Sequence, residues 1–414
     1  MKKGNINTRL FLIITTEFFE RYYFYSLRSI LYPFLLDILK FSNNDSKKII
    51  HTFFIFTYSS SFFFALISDS FLGQFKTIIF SNFLYLTGAV LCYFGSFYKS
   101  SYYFLTGLLF ISIGTGGIKS NISNFGASQL SEEQGIKNFF SIFYFVINLG
   151  AILSILITPI ISKLKCNSEG NCYNLVFIIS LCLIVASQVI FVSGSKIYKK
   201  KKISSKNIKN IVSDSNLKFI KSILKVFLPI AFFWMLFDQQ STSWIEQGNE
   251  MEQKVYKLEI LPVQMQLLNA GLILVLIPLL SKFLLNKKSN KNSQIKIMSL
   301  GIFLSSMSFI CAYTIEKFLE NDIKLNILFQ FFQYFFISVS EVFVSITGLE
   351  YAYTSSPAEI KSIITALWHS TTALGNLLTV IITSFLLIYR NSTNFLVFAI
   401  FGVLASFFLQ KNNF

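Results

Sequence analysis

The chain has 414 residues, of which 53% are hydrophobic, 49 are Phe and only 14% are charged. A soluble domain of this length buries its core with far less apolar material, so the composition excludes an ordinary soluble protein. The net charge of +16 invites a nucleic-acid reading, but the Lys residues gather in particular loops, which marks membrane topology and leaves nucleic acid out.

Residues 77–96, 102–118, 139–162, 174–194, 266–281, 297–314, 362–389 and 394–409 are each nearly free of charge. At 1.5 Å rise per residue most of these runs cross a hydrocarbon layer of about 30 Å. Backbone amides in lipid must be satisfied within their own segment, so the runs are helices. In chain order the pattern predicts helices over 11–39, 47–69, 77–96, 102–127, 139–162, 174–194, 221–247, 260–284, 296–314, 326–353, 362–389 and 394–410. The fold class expected is an all-α integral membrane protein with twelve transmembrane helices in two six-helix halves.

The first helix is not a cleavable signal peptide, because Glu17, Glu20, Arg21 and Arg28 stand inside it. At 100° per residue these four and Tyr25 share one face, a polar stripe that lines a wet passage or forms an ion-pair ladder from Glu17 to Arg21. Asp69, Gly73 and Lys76 mark a short turn after the second helix. Further intramembrane charges are Lys119, Asp238, Glu341 and Glu350. Such charges cost about 2.5–3.5 kcal/mol each on insertion scales, so they face a cavity or a partner. Basic groups in the first half and acids in the second suit a zwitterion, or a gate whose pairs form and break as protons bind.

Residues 195–220 hold Lys196, Lys199 to Lys202, Lys206 and Lys209, a basic linker that divides 1–194 from 221–414. Placing it in the cytoplasm puts Lys2, Lys3, Arg9, Lys76, Lys137, Lys287, Lys288 and Lys291 there too. Lys47, Lys48, Lys99, Lys165, Lys254 and Lys324 fall on the other side, and both termini are cytoplasmic. Cys92, Cys182 and Cys311 read as core filler. Cys166 and Cys172 bracket the loop KCNSEGNCY, and a disulfide there depends on an oxidising exterior. No metal-ligand cluster and no nucleophile–base pair stand out, so neither an enzyme nor a cofactor is expected.

Six stretches in order resemble the proton-coupled oligopeptide transporter family of the major facilitator superfamily. They are Glu17-x-x-Glu20-Arg21 with Tyr25 and Arg28; His51-Thr52-Phe53 with the AxxxDSxLGxFKTI run ending at Ile78; GTGGIK ending at Lys119; FFSIFYFVINLG at 139–150; FWMLFDQQ at 233–240; and Glu341 with GLE at 348–350, followed by LWHSTTALGN at 367–376. The resemblance implies symport of di- and tripeptides with protons, driven by the proton gradient. It implies that Arg21, Arg28 and Lys119 take the peptide carboxylate and Glu341 the amine. Asn148 and Asn269 would bond the peptide backbone, and Tyr25, Tyr58, Trp234 and Trp368 would line side-chain pockets. Glu17, Glu20 and Glu341 would carry the proton, His51 and Asp238 match proton-sensing and gating positions, and Asp69, Gly73 and Lys76 form the gating loop. On residues alone, His51 reads as an interfacial residue near a helix end, and the aromatics as packing. Phe24, Ser61, Phe64 and Ser120 depart from the family pattern. Nitrate or another small solute, and a non-transporting nutrient sensor, are the competing readings; Glu341 disfavours an anion. The implied setting is the plasma membrane, with no obligate protein partner.

Overall fold

The computed structural model describes residues 6–130, 133–166, 171–200, 214–286, 291–357, 361–385 and 391–411. Residues 201–213 of the basic linker, Lys287 and Lys288 lie outside the described residues, as do the side chains of Asp69 and Lys137. The chain divides into two compact units. One is Met1–Phe41 with Phe56–Ile208, and the other is Ser42–Ile55 with Lys209–Phe414.

The first unit holds α1 (Ile6–Asp37), α3 (Gln74–Phe97), α4 (Ser101–Ala127), α5 (Glu133–Ser162) and α6 (Tyr173–Ser193), with the later part of α2 (Asn43–Ile67). Some of its aromatic residues pack in two knots. At one end of the helices Phe34 meets Phe104 at 4.6 Å, Phe177 at 5.1 Å and Tyr173 at 5.3 Å. At the other end Phe75 and Phe125 pack on Phe191 and on Tyr198. Offset and edge-on ring pairs of this kind add about 0.5–1.5 kcal/mol each beyond area burial. In lipid, where helices gain no hydrophobic drive toward each other, such packing holds the bundle. Cys166 and Cys172 are bonded to each other in this unit, so the disulfide left open on spacing is formed. Cys182 is exposed on α6, not core filler, while Cys92 is buried.

The second unit holds α7 (Asp214–Phe237), α8 (Ser243–Glu250), α9 (Gln266–Asn286), α10 (Lys291–Leu319), α11 (Phe331–Glu341), α12 (Thr347–Ser355), α13 (Lys361–Phe385) and α14 (Asn391–Lys411), with the first residues of α2. Trp244 is fully buried at its core, 4.9 Å from Tyr334 and 5.8 Å from Phe309. A two-stranded hairpin pairs Lys254–Val255 with Leu258–Glu259.

Two helices expected to be continuous are interrupted, each at a charged residue. The 221–247 helix gives way to a 3-10 turn over Asp238–Ser241, and the 326–353 helix to a π segment over Val342–Ile346 directly after Glu341. A third irregular stretch, the π segment Ser68–Leu72, ends α2. Such departures from the α ladder free backbone groups and re-aim side chains, and they gather at functional positions. Ten helical stretches among the described residues are long and apolar enough to cross a bilayer. Neither α1, which holds Glu17, Glu20, Arg21 and Arg28 along its length, nor α13 is among them. The protein is a multi-pass helical membrane protein.

Candidate functional site

In the first unit, helical spacing puts the charges of α1 on one face, and that face is buried. Glu17, Glu20 and Arg21 are each under 5% exposed. Arg21 Nε donates to Glu20 Oε2 at 2.5 Å and lies 3.3 Å from Glu17 Oε1. Its guanidinium also sits 5.2 Å from the centre of the Phe24 ring, so the aromatic at this departed position contacts a cation through its π face. Glu17 Oε2 and Glu20 Oε1 are buried and accept no hydrogen bond. Two carboxylates therefore share one guanidinium, with acceptor capacity left over. Tyr25 and Arg28, further along the stripe, are half-buried.

Lys119 is positioned by the glycines before it. A Cβ at Gly116 would overlap Ser60 Oγ and lie 2.8 Å from Thr57 O, so only glycine lets α4 approach α2 this closely. Three residues on, Lys119 Nζ sits 4.2 Å above the centre of the Tyr58 ring. Ser120, standing where the family pattern has Pro, donates its hydroxyl to Gly116 O at 3.0 Å, and α4 runs unbroken to Ala127. On α5, Asn148 is half-buried and donates its amide to Tyr144 O at 2.8 Å. Two residues later Gly150 lies where a Cβ would stand 3.3 Å from Arg21 Cβ, so the end of the FFSIFYFVINLG stretch is pressed against the charged stripe.

In the second unit, the break after α11 leaves Glu341 half-buried, with Oε2 accepting from Asn269 Nδ2 at 3.0 Å. The same amide donates to Ser338 Oγ at 3.0 Å, which fixes its orientation. Asn269 and Glu341, both named on resemblance, thus meet. Trp234 is half-buried against Phe233 and Phe237, with its indole N–H buried and unbonded. Trp368 is 4% exposed, edge-on to Phe227 at 5.5 Å and over Gly348, in the packed core. Glu350 is exposed.

Residues 42–55 cluster with this unit and bring His51 into it. His51 is 1% exposed, buried within this unit. Its Nδ1 lies 2.7 Å from Asn376 Oδ1 and its Nε2 3.2 Å from Thr242 Oγ1. Asn376 Nδ2 donates to Asp238 Oδ2 at 2.7 Å, so one buried amide joins the histidine to the aspartate. Gly375 makes this join possible. A Cβ there would meet Ala231 O and stand 2.8 Å from Met235 N, so α13 comes against α7 beside Asn376. Lys47 and Glu246 form a buried ion pair, and Asn43 Nδ2 donates to Glu246 Oε1 at 2.7 Å.

Asn376, Thr242, Lys47 and Glu246 carry no role in the sequence reading. Asn376 had a signal only in lying within the quoted LWHSTTALGN, where His369, Ser370, Thr371 and Thr372 are polar as well. Thr242 had none, since one Thr beside a helix break resembles any other. Lys47 looked like an outer-loop cation until its burial placed it against Glu246. In the expected gating loop, Gly73 takes φ 75°, open to glycine, and Lys76 is exposed.

Comparison with known proteins gives a single direction. A crystal structure of a proton-dependent oligopeptide (POT) family transporter aligns at TM-score 0.81 and 26% identity, covering 96% of this chain and 99% of that one. The POT family transporter PepTSo, solved in meso, aligns at TM-score 0.86 and 25% identity over 97% and 96% of the two chains. Solute carrier family 15 member 1 of Oryctolagus cuniculus is 32% identical over 373 residues, covering 76% of this chain and 53% of its own length. Peptide transporter family 2 of Caenorhabditis elegans is 31% identical over 75% of this chain and 47% of its own length. The chain spans about half the length of these curated relatives. The POT family model matches residues 75–223 and 212–396. With that match over most of its length and the major facilitator arrangement of its structural neighbours, the chain belongs to the POT family.

Proposed function

We propose that this protein carries di- and tripeptides across a membrane together with protons. The observation that carries the reading is the division of charge between two built sites. Arg21 and Lys119, with Arg28 on the same stripe, give one site cationic groups, and Glu341, held by Asn269, gives the other an anionic one. A peptide is a zwitterion, and it matches this pair of opposite charges as neither a simple anion nor a simple cation does. The relatives are peptide transporters and solute carriers by name, which points the same way.

Roles follow from chemistry. The guanidinium and ammonium groups take the peptide carboxylate, and Glu341 takes the amine. Asn148 and Asn269 offer amides to the peptide backbone, while Tyr25, Tyr58 and Trp234 offer apolar wall. Trp368 supports that wall from the core. Glu17 and Glu20 share one guanidinium, so the cluster has room for a proton, and a proton that neutralises one carboxylate loosens the hold on Arg21. Transport then needs only that substrate and proton favour different members of a two-state equilibrium. Twelve spans in two halves of six, with α1 and α13 also crossing the bilayer, cytoplasmic termini and a plasma-membrane setting complete the reading.

The test is recognition of the peptide's ends by the purified protein. Titration calorimetry should show a free dipeptide binding at least ten-fold more tightly than its N-acetylated form, and Glu341→Ala should remove that preference. Equal affinity for both forms in the wild type would remove the amine from the account.

A further inference from the structure

We propose that Asn376 fixes the tautomer of His51, so that the proton this histidine takes up enters at Nε2, opposite the hydroxyl of Thr242. The geometry leaves Asn376 one orientation. Besides its bond to Asp238, its Nδ2 lies 2.9 Å from the backbone oxygen of Thr372. A carbonyl cannot donate, so the atom facing it is the amide nitrogen whatever the protonation of Asp238. Oδ1 therefore faces His51 Nδ1 at 2.7 Å, and an acceptor at that distance requires Nδ1 to carry a hydrogen. The neutral ring then has its lone pair on Nε2, 3.2 Å from Thr242 Oγ1.

Thr242 is built to serve both states of the ring. It is fully buried, and its hydroxyl has a second acceptor in reach, Gln239 O at 3.5 Å. Beside a neutral His51 the hydroxyl donates to Nε2. When Nε2 binds a proton the hydroxyl turns to donate to Gln239 O, and its oxygen accepts from Nε2–H. No heavy atom has to move. Asn376 and Thr242 are positioning residues here, and Asp238 feels the histidine's charge through the amide between them. Charged groups of this unit near His51 include Asp238 at the helix break (joined through Asn376), Lys47 and Lys48 about one turn away on α2, and Glu246 on α8. Lys47 and Glu246 are paired with each other, and Asp238 is the acid linked to the ring through one side chain.

The tautomer stands on geometry alone; its link to uptake rests on the proposed function. The chain has only 2 His, so ring nitrogen NMR of the protein labelled with 15N-histidine gives two sets of signals, and His369→Gln identifies that of His51. The neutral wild type should show Nδ1 protonated and Nε2 bare, the reverse of the form that free histidine favours. Asn376→Leu should shift the ring toward Nε2–H, whereas Thr242→Val should leave Nδ1–H in place. In dipeptide uptake, Thr242→Val should move the acid limb about 0.5–1 pH unit lower, because the charged ring loses a stronger hydrogen bond than the neutral one. Thr242→Ser should restore it. A wild-type spectrum with Nε2–H in the majority, or a Thr242→Val profile at its wild-type position, overturns the proposal. Failure of uptake in every form would strike the proposed function and leave the spectrum to decide the tautomer.

Discussion

Arg21 is held by two buried carboxylates on α1, one on the adjacent residue and one a helical turn back. Removing the guanidinium strands both acids in a low-dielectric interior, a change worth about 3–5 kcal/mol where a buried pair loses one member. Arg21→Ala should therefore lower the thermal midpoint in detergent sharply. Glu17→Gln should cost far less, because Arg21 keeps its 2.5 Å bond to Glu20. Comparable losses in the two variants would mean that the longer 3.3 Å contact matters as much as the shorter. The cluster itself was legible, since helical spacing puts its members on one face. The stronger partner was not, because the four-residue rule points to Glu17 and overlooks how a long Arg side chain folds back to its neighbour. The Asn376 link was hidden for a related reason. His51, Asp238 and Asn376 are far apart in sequence, and no periodicity connects them.

At the scale of elements, every expected segment contains helix among the described residues, with ends displaced by a few residues, but those over 221–247 and 326–353 are broken. Apolar run length carried that information, because lipid leaves a spanning backbone no alternative to the helix. The breaks at Asp238–Ser241 and Val342–Ile346 were not legible, since neither contains Pro or Gly to announce it. They arise where tertiary packing and buried polar side chains outweigh the local ladder. Close approaches were partly legible as glycines in helices. Two of these glycines make opposite predictions. Gly375→Ala drives a methyl into Ala231 O and should destabilise by about 1–3 kcal/mol, as overpacking does. Gly271→Ala meets nothing within 4 Å and should be neutral or slightly stabilising. Thermal unfolding of the two variants side by side checks this, and equal shifts would contradict the packing at Gly375.

At the scale of the molecule, each compact unit has its own aromatic core and its own charged site, one cationic and one anionic in excess. Composition and charge placement made the membrane class plain, and ordered motifs made the family plain. The charged clusters were legible because buried charge is costly in lipid and so draws attention to itself. In the proposed mechanism a proton gradient drives peptide accumulation through these sites. The most direct measurement is uptake of a labelled, hydrolysis-resistant dipeptide into proteoliposomes, with and without an inward acid gradient, for the wild type and Glu341→Ala. The account predicts accumulation above equilibrium in the wild type only when the gradient is present, and at least ten-fold slower uptake in the variant. No gradient-dependent accumulation by a folded wild type, across several dipeptides, would contradict it.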